Sequence, residues 1–393
     1  MSNAVIVDAV RTAGGKRNGK LRNWHSADLA SEVLQAVVER NHLDTGQVDD
    51  VIMGCVMQVG EQSLNVARNA VLAAGFPESV PATTIDRQCG SSQQALHFAA
   101  QGVMSGTYDL AIAGGVEVMT RTPMGSSVVR ELGFPFGPRM MARYAERGGL
   151  VSQGEGAELI CEDWGLTRDE LDEYAVRSHQ RAAQATAEGR FQREIVPVAV
   201  KGDDGADTDE LFATDEGIRP DTSVEVLANL KTVFRPENGK ITAGNSSQIT
   251  DGASAVLVMS EEKAAALGLT PRARFHSLAV VGSDPIRMLT GPIPATKAVL
   301  ERGKLTLDDI DLVEINEAFA PVVLAWAREL GADLDKVNVN GGALALGHPL
   351  GASGAKLMAT LLNELERTNG RYGLLTMCEG GGMANATIIE RLG

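Results

Sequence analysis

The sequence of 393 residues has few aromatic side chains, no excess of basic residues and no long apolar run. Aromatic residues make up 4% of the chain, which argues against a platform on which nucleic-acid bases stack. The net charge of −15 argues against the positive surface that nucleic acids and anionic membranes require. The longest apolar run, Ala318 to Ala327, is too short to cross a bilayer. We therefore expect no nucleic-acid partner and no membrane partner.

Cysteine and histidine are also scarce. The four cysteines, Cys55, Cys89, Cys161 and Cys378, are far apart and form no CxxC pair, so we expect free thiols in a reducing cytoplasm. The six histidines lack metal-ligand spacing, and we expect no metal. The GxSxG motif of serine hydrolases and the GK[ST] motif of P-loop NTPases are missing. The opening MSNAVIVDAVRTAGG predicts a first β-strand and not a signal peptide.

The chain contains two segments that share the same residue pattern. The segments ERNHLDTGQVDDVIMG, from Glu39, and ERGKLTLDDIDLVEIN, from Glu301, share a pattern at an offset of 262 residues. A helical pattern precedes each copy, and Ser26 is expected to cap the first helix. The same offset takes Cys89 to Gly351, and both lie in turns of small residues ahead of a predicted helix. These correspondences predict an α/β fold with two similar halves.

The middle of the chain, residues 119–242, interrupts this repetition. It contains a helix that opens with the capping box Thr167 to Glu170, and an acidic stretch, DDGADTDELFATDE, that we expect to be a solvated loop. We predict an inserted domain that lies over the first half. The predicted N-terminal half consists of residues 1–118 and 243–270, and the C-terminal half consists of residues 271–393.

Two residues suggest nucleophilic chemistry. Cys89, in DRQCGSSQQALH, stands directly before a predicted helix, where the helix dipole and backbone N–H groups favour the thiolate. An inert buried thiol is the alternative for a single cysteine. His348, in GGALALGHPLGASGA, precedes the helix that is equivalent to the helix after Cys89. The duplicated plan would therefore bring an imidazole to the thiol.

Two further residues end predicted strands of the second half. Cys378, in MCEGGGMANA, is followed by glycines whose backbone N–H groups suit an oxyanion hole. Asn316, in EINEAFA, is placed either to orient a water or carbonyl group or to cap the next helix.

In this order and spacing, the segments QCGSS, NEAFA, GGALALGHPLGASGA and CEGGGMANA resemble the thiolase family. The resemblance covers essentially the whole chain. It implies the thiolase fold, in which two duplicated α/β halves form five αβαβα layers and carry an inserted loop domain. It also implies an acyltransferase that uses CoA to cleave a 3-ketoacyl-CoA into acetyl-CoA and a shortened acyl-CoA. CoA would be a substrate, with no permanently bound cofactor, and the protein a homodimer or homotetramer.

The resemblance also assigns roles to residues. Cys89 would be the nucleophile, activated by His348, and Cys378 would be the acid and base. His348 and a water held by Asn316 would stabilise the thioester enolate. The backbone N–H groups of Cys89 and Gly380 would stabilise the tetrahedral intermediate. Two cysteines are needed because one stays bonded to carbon while the other moves a proton.

By the same resemblance, the inserted domain binds CoA. Arg219, Lys231, Arg235 and Lys240 form a basic cluster in an otherwise acidic protein. Arg219 and Ser247 match family positions that contact CoA. Ordinary surface charge is the alternative, above all for the lysines.

The chain departs from short-chain members of the family in two places. Asp86 stands where they carry Asn, Ser or Thr, and Ser152-Gln153-Gly154 stands where they carry His-Met-Gly. At both places the residues are similar to those of actinobacterial thiolases of sterol side-chain breakdown. We therefore expect a degradative enzyme of fatty-acid or steroid metabolism, with Gln153 in contact with the substrate. The alternatives are a biosynthetic acetoacetyl-CoA thiolase, a condensing enzyme of the ketoacyl synthase type, which lacks a second catalytic cysteine, and a catalytically idle CoA- or lipid-binding protein.

Overall fold

The computed structural model describes residues 3–393. Up to residue 118 the elements are β1 (Ala4–Thr12), β2 (Gly15–Lys16), α1 (Ser26–Glu39), β3 (Asp50–Gly54), α2 (Val66–Ala73), β4 (Ala82–Ile85), α3 (Ser91–Met104) and β5 (Leu110–Val118). The middle of the chain forms α4 (Pro138–Ala145), α5 (Gln153–Asp163), α6 (Arg168–Ala187), β6 (Ile195–Val196), β7 (Val198–Lys201), β8 (Asp207–Phe212) and α7 (Val224–Ala228). The remaining elements are β9 (Thr250–Ser260), α8 (Glu261–Ala266), β10 (Ala273–Gly282), α9 (Pro292–Gly303), β11 (Leu312–Ile315), α10 (Ala320–Leu330), α11 (Ala343–Leu346), α12 (Ser353–Thr368), β12 (Tyr372–Glu379) and β13 (Met383–Arg391).

The strands follow the same order in both halves. In the first half the order is β1-β9-β5-β3-β4, and in the second it is β10-β13-β12-β11. The parallel pair β3–β5 aligns Met53 with Gly114, and the parallel pair β11–β12 aligns Ile315 with Thr376, so the two registers differ by 262 residues. The two sets join where β1 pairs with β10 through Val5 and Ile6. The duplication seen in the sequence is therefore a duplication of strand order and register.

Three apolar cores separate the layers. One core packs α1 and α2 against the first set of strands. The central core contains α3 and α12 together with residues of both strand sets. The third packs α9 and α10 against the second set of strands. The result is the five-layer αβαβα arrangement that the resemblance implies.

The two central helices begin side by side. The backbone N–H of Ala355 in α12 donates to Ser92 Oγ in α3 at 3.0 Å. Gly354 lies so close to Gln93 that a side chain at residue 354 would overlap that residue's backbone. The loops before α3 and α12, which carry Cys89 and His348, therefore meet at the centre of the molecule.

The inserted segment does not form a separate body over the first half. Its helices α5 and α6 pack against the second half, because Ile160, Leu171 and Ala175 share a core with α9 and α10. The part of the inserted segment that follows α6 does lie on the first half, because β6 pairs with β1 and because Val198 and Phe212 of the β7–β8 hairpin lie in the core of that half. The boundaries of the three segments stay a prediction.

One local prediction is wrong, and a second holds only in part. Ser26 is the first residue of α1, and His25 caps the helix by accepting a hydrogen bond from the N–H of Ala27. The acidic stretch is exposed over most of its length, but it is not a loop throughout, because it contains β8 and the buried Asp215, which pairs with the buried Arg11 at 2.8 Å. Thr167 and Glu170 do form the predicted capping box of α6.

Within residues 3–393, no helix is long and apolar enough to cross a membrane. The same part of the chain contains no cluster of His, Cys, Asp and Glu side chains arranged to hold a metal ion.

Candidate active site

Cys89 lies in a tight turn at the start of α3. Gln88, directly before it, adopts a left-handed conformation with a φ of 49°, and its N–H donates to Asp86 Oδ1 at 2.6 Å. The cysteine is buried, with 6% of its surface exposed. Burial, followed by the nearby carboxyl group of Glu379, raises the pKa of the Cys89 thiol to about 12. Burial thus opposes the thiolate that the helix start is expected to favour.

Cys378 lies near the end of β12 and is fully buried. Its pKa is raised well above the usual value by burial and then by the charges of Cys89 and Glu379. The structure thus brings the two sequence-predicted cysteines together from opposite halves. A thiolate on Cys89 opposes ionisation of Cys378, so the protonation states of the two thiols are coupled.

The imidazole of His348 has a defined tautomer. Its Nδ1 lies 2.5 Å from Ser353 Oγ, and that hydroxyl group donates to the carbonyl oxygen of Pro349 at 2.8 Å. Since the single hydroxyl proton is used on Pro349, Ser353 accepts from Nδ1–H, and Nε2 keeps its lone pair. Burial and then the charge of Lys356 lower the pKa of His348 to about 3, so the imidazole is neutral near pH 7. Nε2 is therefore available to take a proton.

The loop that carries His348 is held by its backbone. The His348 N–H donates to Gln248 O at 3.2 Å and to Thr250 Oγ1 at 3.1 Å. The buried ammonium group of Lys356 donates to the carbonyl oxygens of Leu346 and Gly347 at 2.5 Å and 3.0 Å. The position of the imidazole thus depends on β9 and α12 as well as on its own loop.

Asn316 follows β11 and is 1% exposed. Its backbone N–H donates to Thr376 O at 3.1 Å, and its side-chain Nδ2 lies 3.4 Å from His348 Nε2. Asn316 does not cap α10, whose N-cap residue is Phe319. The amide is consequently placed beside the basic nitrogen of His348, as an orienting group would be.

Gly380 begins the glycine turn between β12 and β13. Gly381 and Gly382 have φ values of 82° and 78°, a region that side chains other than glycine rarely adopt. The nearest side chains to Gly380 are those of Gln88 and Gln153, at 3.0 Å and 3.5 Å from the position of a Cβ. Gln153 is the first residue of α5, after the N-cap Ser152. The inserted segment therefore reaches the Gly380 turn through Gln153.

The residues predicted to contact CoA divide into two groups. Arg219 is exposed, and Ser247 is half-buried with its N–H bonded to Ala318 O at 3.0 Å. Both lie close in sequence to Gly217 and Gln248, which are joined by a 2.9 Å hydrogen bond, and Gln248 also binds the backbone of His348.

Two members of the predicted basic cluster serve the fold instead. Arg235 pairs with Glu155 and Glu162, both at 2.5 Å. Lys240 donates to Leu166 O at 2.5 Å. Arg235 and Lys240 are therefore engaged in contacts within the protein, whereas Lys231 is an exposed surface cation.

Sequence reasoning missed the residues that hold the site. Ser353 and Lys356 lie in and just after the quoted GASGA segment, but nothing in their spacing indicated a bond to His348 or its loop. Glu117 and Glu379 could have been singled out in the sequence, because both are glutamates and their positions differ by the 262-residue offset of the duplication.

The fold and the site define an acyl-transferring enzyme with two cysteines and a histidine, built from two related halves. The family descriptions "Thiolase, N-terminal domain" and "Thiolase, C-terminal domain" match residues 4–262 and 269–391. The chain belongs to the thiolase family.

Individual relatives are similar over their whole length. The chain is 51% identical to "Steroid 3-ketoacyl-CoA thiolase FadA6" of Mycobacterium tuberculosis, covering 100% of this chain and 95% of that protein. It is 48% identical to a "3-ketoacyl-CoA thiolase" of Photobacterium profundum, covering 100% of both chains. The crystal structure of the Bacillus anthracis acetyl-CoA acetyltransferase superposes with a TM-score of 0.91 at 40% identity, covering 100% of this chain and 99% of that chain.

Proposed function

We propose that this protein cleaves 3-ketoacyl-CoA thioesters with CoA, through an acyl group carried on Cys89. The observation that carries the proposal is that the loops of Cys89 and His348 meet at the adjoining starts of α3 and α12, with the Nε2 lone pair of His348 left free by the bond between Nδ1 and Ser353. Names of full-length relatives at 48–51% identity support the substrate class.

In the first half-reaction, Cys89 Sγ attacks the 3-keto carbon while His348 Nε2 takes the thiol proton. Because the thiol and the imidazole are both neutral at rest, this proton moves together with the attack and not before it. The backbone N–H groups of Cys89 and Gly380 hold the oxyanion. The bond between C2 and C3 then breaks, its electron pair forms the enolate of acetyl-CoA beside His348 and an Asn316-held water, and Cys378 supplies the proton to C2.

In the second half-reaction, the thiolate of Cys378 takes the proton of the incoming CoA thiol. The CoA sulfur attacks the acyl group on Cys89, and the shortened acyl-CoA leaves as the Cys89 sulfur takes back from His348 Nε2 the proton that it gave up in the first half-reaction. Arg219 and Ser247 are proposed to hold CoA, since both lie close in sequence to the contacts that fix the His348 loop.

For the acyl chain, we propose a substrate bulkier than acetoacetyl-CoA and a degradative role in fatty-acid or steroid breakdown. Gln153 at the Gly380 turn and the printed name of the mycobacterial relative support this. The biosynthetic alternative, with acetoacetyl-CoA as substrate, is favoured by the Bacillus structure at 40% identity. Comparing kcat/KM for acetoacetyl-CoA, a medium-chain and a steroid-sized 3-ketoacyl-CoA separates the two.

We further propose a cytoplasmic homotetramer. The four cysteines are free and buried, as suits a reducing compartment. Residues 124–141 of the inserted segment expose a group of large apolar side chains, which favours contact with another copy: Met124, Val128, Val129, Leu132, Phe134, Phe136, Met140 and Met141. Light scattering should give a tetramer for the wild type and a smaller assembly for Leu132→Glu.

The acyl-enzyme proposal is tested by peptide mass spectrometry after incubation with a 3-ketoacyl-CoA. We expect the added acyl mass on Cys89. An adduct on Cys378, or no adduct on any cysteine, overturns the assignment.

A further inference from the structure

A buried carboxyl group next to the two cysteines takes no part in the steps above. Glu379 directly follows Cys378 and is 0% exposed. Among residues 3–393, no group meets the geometry of a hydrogen bond with either carboxyl oxygen, although the backbone N–H of Asn385 is close enough to lower the pKa of Glu379. A buried polar group without partners lowers stability, so Glu379 does not stabilise the fold through its polar atoms.

The carboxyl group lies against the backbone of the nucleophile's turn. A methyl group added to Gly90 would overlap the carboxyl of Glu379, and this overlap is the closest contact at that glycine. Gly90 stands between Cys89 and the first residue of α3. The absence of a side chain at residue 90 is therefore what lets Glu379 approach the nucleophile.

The duplication provides an internal comparison. Glu117, 262 residues earlier, is equally buried at the equivalent strand position. Its carboxyl accepts hydrogen bonds from the backbone N–H groups of Val56, Met57 and Gly351 at 2.9, 3.1 and 2.9 Å. Gly351 is the residue equivalent to Cys89. The same glutamate thus faces the start of a central helix in both halves, but only in the first half is it bonded.

We propose that Glu379 is a positioning residue of the acyl-transfer reaction, whose carboxyl group controls ionisation of the Cys89 thiol according to its own protonation state. The inference rests on the proposed role of Cys89 as nucleophile. Glu379 acts through Cys89 and touches no substrate atom in the steps above.

The electrostatic reason is that one negative charge opposes another in a buried site. The charge of Glu379 is the second largest cause of the raised pKa of Cys89, after burial, and it also raises the pKa of Cys378. The other ionisable groups that face Glu379 are Arg87, which lowers its pKa, and Asp86, which raises it.

Burial is the largest effect on Glu379 itself and raises its pKa to about 8. Near neutral pH the carboxyl is therefore protonated, and a thiolate on Cys89 has no negative neighbour at this position. Above that pKa the carboxylate forms and opposes the thiolate. The two ionisations are thus coupled, and each depends on the state of the other group.

The test measures alkylation of Cys89 by iodoacetamide as a function of pH, quantified by peptide mass spectrometry. The rate follows the thiolate fraction. In the wild type, the logarithm of the rate should rise with pH, flatten near the pKa of Glu379, about 8, and then rise again. In Glu379→Gln the rise should be continuous, and above the flat region the variant should react about tenfold faster, the change that one pKa unit produces.

Two further variants separate charge from other effects. Glu379→Leu is also neutral and should give the same continuous profile as Glu379→Gln. Glu390→Gln is the control, because it removes a carboxyl group that is distant from Cys89. Glu390 lies on the neighbouring strand β13, opposite Tyr372 at the far end of β12. This variant should keep the flat region of the wild-type profile. A wild-type profile without a flat region, or a flat region that persists in Glu379→Gln, overturns the proposal. Failure of the acyl-enzyme proposal is distinguishable, because it appears as a missing acyl mass on Cys89 whatever the alkylation profile.

Discussion

The two halves of the molecule have the same strand order and register but supply different chemistry. The first half contributes the proposed nucleophile Cys89 before α3, and the second contributes His348 before α12 and Cys378 on β12. The residue equivalent to Cys378 is the apolar Val116, and the residue equivalent to Cys89 is Gly351. A duplicated scaffold therefore brings unlike groups to one point because its central helices start side by side, and each start is free to carry a different residue.

The segment before each central helix also differs. In the first half it is the edge strand β4, and in the second half the equivalent residues form the short helix α11. Helix α11 lies under α6 of the inserted segment, where the N–H of Leu344 donates to the buried Glu317 at 3.0 Å. Glu317 also accepts from Tyr174 and Ser178 of α6, at 2.8 and 2.7 Å. Contact with the inserted segment thus accompanies the change from strand to helix.

The largest expected effect comes from exchanging the proton-moving cysteine. Cys378→Ala should lower thiolysis of a 3-ketoacyl-CoA by roughly 10²–10⁴-fold, as expected for the loss of a general acid and base. Loading of acetyl from acetyl-CoA onto Cys89 should be slowed less, since it needs a proton only on the leaving CoA sulfur and no proton transfer at carbon. Steady-state kinetics and peptide mass spectrometry measure the two.

Val116→Ala is the matched control in the first half. It should lower the free energy of unfolding by about 2 kcal/mol through lost apolar burial, with the catalytic constants of the folded fraction unchanged. Near-wild-type thiolysis by Cys378→Ala would mean that Cys378, like Val116, only fills space.

The second effect concerns the tautomer of His348. Ser353→Ala removes the acceptor for Nδ1–H, which stabilises the imidazolium as Nε2 takes the thiol proton. A hydrogen bond to a charged group contributes about 1.5–3 kcal/mol, so acylation of Cys89 should slow roughly ten- to a hundredfold. Rapid-quench measurement of acyl-enzyme formation tests this.

Ser353→Thr keeps the hydroxyl group and should restore most of the acylation rate. If Cys89 is acylated equally slowly in both folded variants, the lower rate is caused by altered packing at the start of α12 and not by loss of the hydrogen bond.

The third prediction compares the stabilities of variants at the two equivalent glutamates. Glu117→Gln places an amide where the carboxylate accepts three backbone N–H groups and the side chain of Gln62, and it should lower the free energy of unfolding by about 2 kcal/mol. Glu379→Gln loses no hydrogen bond and should be as stable as the wild type or more so. Urea unfolding of both variants measures the difference.

This difference should depend on pH. The pKa of Glu379 is raised from 4.5 to about 8 in the folded protein, so the folded state binds the proton more tightly than the unfolded state. The wild type should therefore lose stability as pH rises from about 4.5 to about 8, and Glu379→Gln should lose less over that range. Parallel stability curves for the two proteins would contradict the raised pKa.

The smallest expected effect is on substrate choice, which involves α5, the helix of the inserted segment that packs against the second half. Gln153→His should reduce the preference for a medium-chain over a short-chain 3-ketoacyl-CoA by several-fold, since each methylene that loses contact costs at most about 0.8 kcal/mol. The ratio of kcat/KM values for the two substrates measures this. Gln184→His, on the exposed face of α6, is the control and should leave the ratio unchanged.

The sequence alone determined the duplicated α/β plan, because strand and helix patterns recur at a constant offset and the register of paired strands follows from them. It also predicted that Cys89 and His348 lie in turns before helices and that Asn316 and Cys378 lie at strand ends, since small residues and glycines mark these turns. Each of these patterns involves residues that are close in sequence, so the folded protein keeps the local turn that the pattern predicts.

The tertiary structure decided the electrostatics and the partners. The neutral thiol of Cys89, the proton on Nδ1 of His348 and the ion pairs of Arg235 depend on burial and on atoms distant in sequence. Asp215 reads as part of a solvated loop in the sequence, but Arg11, more than 200 residues away, buries it. Glu117 and Glu379 occupy equivalent places in the pattern, and only the surrounding packing decides that the first is fully bonded and the second is not, because desolvation and hydrogen-bond geometry are properties of the assembled fold.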